Sequence, residues 1–404
     1  MKTAISALPF AITLALSASL LPTPVSANTN NELSDAVKQS SVAVHFRYRL
    51  EYVDQDNALD DAIASTLRSR LTVNSGNAYG FSAIVQLDNV SALGNDNYNS
   101  TVNGNTNYSI VADPEGTDIN QASLRYTNNS GTSFSAGRQL VNHMNQRFLG
   151  GVGWRQNEQT LDGYRLQQGF GEKINAELGH YHNVNRVFGP KGAAADQSGS
   201  FNTALLQWQI NPAHQLAAFG YDFEFDSWAA RSSRTVGIDY QGKLTTGPKL
   251  SWHFALAKQD DAHNAPLNVS HHYHRLSLNW AFDNLTLQAG QERLAGNSQS
   301  AFQTPLATLH AFSGFADLFL NTPNTGLRDN WLEAKTKLKD IAITLAYHRF
   351  DSDLGSQKYG DEWNASAGYA VNKQLSALVK LAHYQTDSLA VDTTKVWLML
   401  SYQP

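Results

Sequence analysis

In the stretch SVAVHFRYRLEYV, residues 41–53, Val44, Phe46, Tyr48, Leu50 and Tyr52 share one parity, and His45, Arg47, Arg49 and Glu51 share the other. A β-strand turns successive side chains to opposite faces, so this segment carries one apolar face and one charged face. The split recurs at Leu250, Trp252, Phe254 and Leu256, at Ile341, Ile343, Leu345 and Tyr347, and at Val396, Leu398, Leu400 and Tyr402. About 18 such segments, mostly alternating and rich in Tyr, Phe, Val and Thr, follow one another from 41–54 to 394–402.

The connections carry a second rhythm. Long joints at 55–61, 91–119, 140–157, 184–199 and 295–328 alternate with tight ones at 75–77, 128–131, 211–212, 282–284, 339–340 and 371–373. That alternation predicts an all-β fold, a transmembrane up-and-down antiparallel β-barrel with short periplasmic turns and long extracellular loops. Only a closed barrel satisfies every strand amide in lipid. The apolar parity therefore faces lipid, and the arginines of the first strand face a water-filled lumen. Tyr52, Tyr79, Trp280, Trp363 and Tyr369 sit near strand ends, as interfacial girdle residues do.

The first residues fit this reading. Lys2, a mostly apolar run to Leu21 and the small residues Val25-Ser26-Ala27 form a secretory signal peptide, 1–27. A short periplasmic segment is expected over 28–40 and the outer-membrane barrel over 41–404. The expected location is the bacterial outer membrane, reached through the periplasm. Expected partners are outer-membrane lipid, lipopolysaccharide and the barrel-assembly machinery, with the barrel a monomer. The last strand, TKVWLMLSYQP, resembles the insertion signal of such barrels, with Gln403 and Pro404 following the aromatic Tyr402. The chain has no Cys, which excludes disulfides and thiolate chemistry. A net charge of -5 argues against nucleic-acid binding.

Extending the parity rule places Arg47, Arg49, Arg68, Arg70, Arg125, Arg165, Arg275, Lys335, Lys337, Lys380 and Lys395 on the inside. It places Glu51, Glu177, Asp222, Glu224, Asp239, Glu292, Glu333 and Glu362 there too. Closure brings the last two strands beside the first. A basic arc of Lys380, Lys395, Arg47, Arg49, Arg68, Arg70, Arg125 and Arg165 is therefore expected to line the pore, and basic linings favour anions. The competing reading is that these charges pair with the acids and fill the interior. Arg138 shares parity with Phe134 and Ala136, so its direction depends on a bulge.

Two stretches resemble the alginate export family of outer-membrane barrels. One is SAGRQLVNHMNQRFLGGVGWRQNEQTLDGYRL, residues 135–166. The other is TPLATLHAFSGFADLFLNTPNTGLRDNWLEAK, residues 304–335, with Pro305, His310, Phe312, Gly314, Asp317, Phe319, Pro323, Gly326 and Asp329 in the family's long-loop pattern. The resemblance implies an 18-stranded monomer whose basic lumen passes an alginate-like polysaccharide, oligouronates or sugar acids. Every short-side turn here is brief, unlike the long periplasmic turn expected of exporters. Any plug is expected from 91–119 or 295–328, and Phe312, Phe315 and Phe319 at i, i+3 and i+7 predict a short packed helix there.

Other chemistry has little support. His180 and His182, or His272 and His274, share a face but lack an assignable third ligand for zinc. Asp113, Glu115 and Asp118 lack the spacing of a calcium loop. No set of nucleophile, base and orienting group stands out, so neither an enzyme nor a cofactor is expected. The leading function is an outer-membrane channel for anionic solutes. The alternative is a surface receptor or adhesin barrel with a closed lumen.

Overall fold

The computed structural model describes residues 29–404, so the predicted signal peptide lies outside the described residues. A helix, α1 (Thr29–Gln39), opens it. Gly76 donates its N–H to Ala36 O (3.1 Å), and Tyr79 donates its N–H to Glu32 Oε2 (3.1 Å). These bonds seat α1 on the first short turn. A Cβ on Gly76 would lie 2.4 Å from Ala36 O, so this approach requires glycine.

Eighteen strands follow. They are β1 (Ser41–Gln55), β2 (Ala62–Asn74), β3 (Phe81–Ala92), β4 (Gly116–Thr127), β5 (Ser133–Gln139) and β6 (Thr160–Phe170). Next come β7 (Ile174–Asn185), β8 (Asp196–Asn211), β9 (His214–Phe225), β10 (Ser233–Lys243), β11 (Lys249–Asp261) and β12 (Ser270–Ala281). The last are β13 (Leu285–Leu294), β14 (Leu327–Leu338), β15 (Ile341–Asp351), β16 (Lys358–Ala370), β17 (Leu375–Thr386) and β18 (Thr393–Tyr402). Each pairs antiparallel with its sequence neighbours, and β1 also pairs with β18, in register from Phe46↔Tyr402 to Gln55↔Thr393. The sheet is closed and has no free edge.

All the predicted strands are present, and the differences lie at their ends. Alternation alone starts β4, β8 and β16 at 120, 200 and 361, but they begin at 116, 196 and 358, because the hairpins stay paired beyond the apolar belt. β3 begins later: Tyr79 and Gly80 adopt positive φ and turn the chain. On the outer wall Leu124, Tyr164, Leu276, Leu332 and Trp363 are exposed, as a lipid-facing band requires.

The inner face departs from the expectation in two ways. On β9 the buried side chains are Phe219, Tyr221, Phe223 and Phe225, so Asp222 and Glu224 point outward. Their strand was assigned by its charges, but aromatic packing won the inward side. The upper lumen is also not simply water. Segments 140–159 and 295–326 fold into the barrel, and Phe148, Leu149, Phe302 and Leu306 are buried there against Tyr221 and Tyr273. The two segments are tied together: Gly150 N–H donates to Leu306 O (2.9 Å) and Thr308 N–H to Gln146 O (3.0 Å). The sequence reading named 91–119 or 295–328 as the source of any plug: 295–326 is one of the two infolded segments, 91–119 sends Asp113 to Arg49, and 140–159 was missed.

Phe312, Phe315 and Phe319 do not share a helix. Only a 3-10 turn, Leu309–Ala311, forms, and positive φ at Ser313, Gly314 and Asp317 breaks the chain beyond it. Each ring serves a different neighbour. Phe312 lies under Arg147 and Arg275, Phe315 stacks on His310 and Phe319 packs on Phe350.

Candidate functional site

The arginines of β1 and β2 meet the first infolded segment. Arg47 donates to Gly153 O (2.7 Å), to Gln156 Oε1 (3.0 Å) and to Arg155 O. Arg49 donates to Trp154 O and to Glu51 Oε2 (2.7 Å), with Asp113 at 3.2 Å. Arg70 holds Asp88 and Glu158 (3.0 Å), and Arg68 reaches the same Glu158 at 3.4 Å. Arg47, Arg49 and Arg68 are buried, and Arg49 completely so. Within a wall that alternation placed in water, these side chains hold a loop.

Arg155 extends the network to the second segment. It pairs with Glu51 (3.0 Å) on the wall and Asp317 (3.2 Å) in the loop motif. Asp317 lies 2.8 Å from His310 Nδ1, and His310 Nε2 lies 2.7 Å from Lys380 Nζ. An ammonium only donates, so Nε2 accepts from Lys380 and Nδ1–H donates to Asp317. Burial pushes the His310 ring down to about 3, with Lys380 and Arg155 adding to the shift and Asp317 opposing it. Burial works against the charged Asp317, but His310, Lys395 and Arg155 hold its carboxyl well below the usual range. His310 stacks on Trp154 at 4.0 Å, and the Lys380 ammonium sits 4.2 Å from Trp154 and 3.3 Å from Phe315.

The remaining motif residues position this tip. Glu362 Oε1 accepts the N–H groups of Phe315 (2.6 Å) and Ala316 (2.9 Å). Gly314 lies against that carboxylate at φ +81, where a Cβ would be 2.4 Å from it. Pro305 lies beside Thr304, whose carbonyl accepts a turn bond from Ala307 (3.2 Å). Gly326, at φ +76, donates to Pro323 O (2.7 Å) and accepts from the Tyr359 hydroxyl (2.8 Å). Asp329 faces inward and meets His348 at 2.9 Å.

The rest of the arc is spread out. Arg165 pairs with Glu177 (2.6 Å). Arg125 donates to Ser133 and Gln167 and lines a cavity of about 270 Å³ near the short turns, with Asn175, Glu177 and Gln207. Lys395 is buried near Glu51 and Asp317 but has no carboxylate within ion-pair distance among the described residues. Arg138 pairs with Asp162 (2.8 Å) at a register shift between Asp162 and Gly163.

The residues missed from sequence sit mainly on 140–159: Arg147, which grips Glu292 at 2.8 and 3.0 Å, Trp154, Arg155 and Glu158. The stretch 135–166 is singled out by resemblance, but nothing in it marks these residues beyond the density of Arg, Gln and Asn in a long glycine-punctuated loop. Asp113, weighed for calcium, pairs with Arg49 instead. Among the described residues no three His, Cys, Asp or Glu side chains gather as metal ligands.

No protein family and no curated protein matches the chain by sequence. Solved structures do match its fold. OccK9 (OpdG) from Pseudomonas aeruginosa is 14% identical, with a TM-score of 0.72 over 91% of this chain and 99% of that one. OpdK from the same organism, crystallised with vanillate, is 15% identical, with a TM-score of 0.70 over 91% and 99%. OccAB4 from Acinetobacter baumannii is 16% identical, with a TM-score of 0.69 over 91% and 99%. The fold the chain shares with them is a closed antiparallel β-barrel of 18 strands. Nothing in these comparisons links the chain to the alginate export family.

Proposed function

We propose that this barrel is a monomeric outer-membrane channel for small anionic solutes, constricted by segments 140–159 and 295–326. The observation that carries the reading is a set of inward-facing cations without acidic partners. Arg47, Arg125, Lys380 and Lys395 all point inward, and none has a carboxylate within 4.0 Å among the described residues. Unmatched positive charge in a narrow lumen favours anions. The similarity to a barrel crystallised with vanillate, an aromatic carboxylate, points the same way. Sugar acids and oligouronates remain within this class. A polymer such as alginate fits less well, because two loops bonded to each other cross the path it would need.

The second reading is a receptor or adhesin with a closed lumen. It is favoured by the complete burial of Leu149, Phe302 and Leu306 between the infolded segments and the wall. Single-channel recording in a planar bilayer separates the two. An anion-selective reversal potential under a salt gradient supports the channel, and a silent, folded barrel supports the receptor.

A further inference from the structure

Most arginines inside the barrel have an acidic partner, but two at its outer mouth do not. Arg186 follows β7 directly, and Arg231 ends a 3-10 turn, Ala229–Arg231, between β9 and β10. Both lie on the long-loop side. No carboxylate reaches within 4.0 Å of either guanidinium among the described residues, and burial alone pulls Arg186 down to about 10. The acids around the small cavity beside Arg186 are committed elsewhere. Glu158 is held by Arg68 and Arg70, Asp88 by Arg70, and Asp118 lies 3.6 Å from Arg138.

The two arginines meet at one residue, Trp228, Arg186 through its ring and Arg231 through its backbone. The Arg186 guanidinium carbon lies 4.4 Å from the Trp228 ring centre and 4.8 Å from that of Phe188. Arg231 N–H donates to Trp228 O (2.7 Å), and its guanidinium donates to Asn321 Oδ1 (2.7 Å) on the second infolded segment. The platform is braced from outside. Arg186 N–H donates to Ala195 O (2.7 Å), and Gly189, at φ +71, packs so close to Pro114 that a Cβ would come within 3.0 Å.

A half-buried cation held against rings, with no anion beside it, has lost hydration without gaining a partner. A guanidinium with aromatic rings against its face offers its edge, and that edge matches a carboxylate with two parallel N–H donors. The surrounding rings suit an apolar, flat body behind that carboxylate. We propose that Arg186, clamped by Trp228 and Phe188 and assisted by Arg231, is the capture site for an aromatic carboxylate at the outer mouth.

This inference rests on the anion-channel reading, so its test must not depend on conduction. Benzoate is titrated calorimetrically into the purified full-length barrel in detergent, with benzyl alcohol as the neutral control. Replacing Arg186→Ala is expected to weaken benzoate binding about tenfold or more, the range of a charge-assisted pair. Arg186→Lys keeps the charge but loses the fork, and is expected to fall between; it also serves if the alanine variant does not fold. Arg231→Ala is expected to weaken binding less than Arg186→Ala. Unchanged affinity in both Arg186 variants, or no benzoate binding by the unmodified barrel, overturns the site. In parallel, extracellular benzoate should block single-channel current. A barrel that binds benzoate through Arg186 yet passes no current would overturn the channel reading and leave the site standing.

Discussion

Arg49 and Arg186 carry the same group in opposite circumstances. Arg49 is fully buried and faces Glu51 and Asp113, with a loop carbonyl taking another donor. Arg186 is partly exposed, pressed on two rings, and has no acid beside it. The first kind of arginine is used up by the fold. Its charge is cancelled, and removing either partner strands the other in a dry place. The second kind remains available to something that arrives from outside. A count of basic residues cannot tell the two apart, because the difference lies in what the loops bring inward.

The largest expected effect tests the inner set. Glu51→Gln leaves Arg49 and Arg155 sharing one fewer carboxylate in a site from which water is excluded. Breaking a buried pair of this kind costs about 3–5 kcal/mol. Denaturant unfolding in detergent should show that loss. A change below about 1 kcal/mol would mean that water reaches the network, and the contrast with Arg186 would weaken.

Acid should also find the inner set, with a loss of comparable size that builds gradually as pH falls. His310 is held neutral, with its folded value near 3 against an ordinary 6.5. Protonation therefore favours the unfolded chain. Stability from this group is complete above about 6.5 and drains as pH falls toward about 3. Asp317, lowered in the fold, loses its own contribution only further down, below the ordinary aspartate range. The unfolding midpoint should fall with pH across that window, and His310→Asn should flatten the fall between about 6.5 and 4. Equal slopes in both proteins would show that another group sets the acid limit.

Next is the loop tip. Gly314→Ala places a methyl on a residue at φ +81 and against the Glu362 carboxylate. Backbone strain of this kind costs about 1–3 kcal/mol, and the cheapest relief is for the tip to leave Glu362. Single-channel conductance should rise as 295–326 loosens, with the barrel wall intact. Unchanged conductance would remove the tip from the constriction.

The barrel was legible in the sequence because its two signals are local. Parity along β1 and the alternation of long and short joints both follow from a membrane with two aqueous sides. The candidate site was legible only in part. Parity put Arg47, Arg49, Arg68 and Arg70 inside, which is where they are, but gave no hint that Arg155 and Glu158 would come in to meet them. Loop paths are set by contacts far apart in sequence, and nothing periodic marks them. Asp222 and Glu224 show the limit within a strand. Charge suggested the wet side, yet the inner side of β9 packs aromatic rings against Phe148. The His310 motif was found as a pattern, while its partners Lys380 and Trp154 came only from the fold.

The smallest expected effect completes the comparison with a third kind of arginine. Arg234 is paired with Asp222 at 3.2 Å, but on the outer rim, where its side chain is 60% exposed. Water already solvates both groups, so the pair gains little and its loss strands nothing. Arg234→Ala should change unfolding free energy by about 0.5 kcal/mol or less, and leave benzoate binding untouched. An Arg234 variant that lost benzoate as Arg186→Ala is expected to would mean that rim charge in general, rather than an unpaired guanidinium on an aromatic plate, gathers the solute.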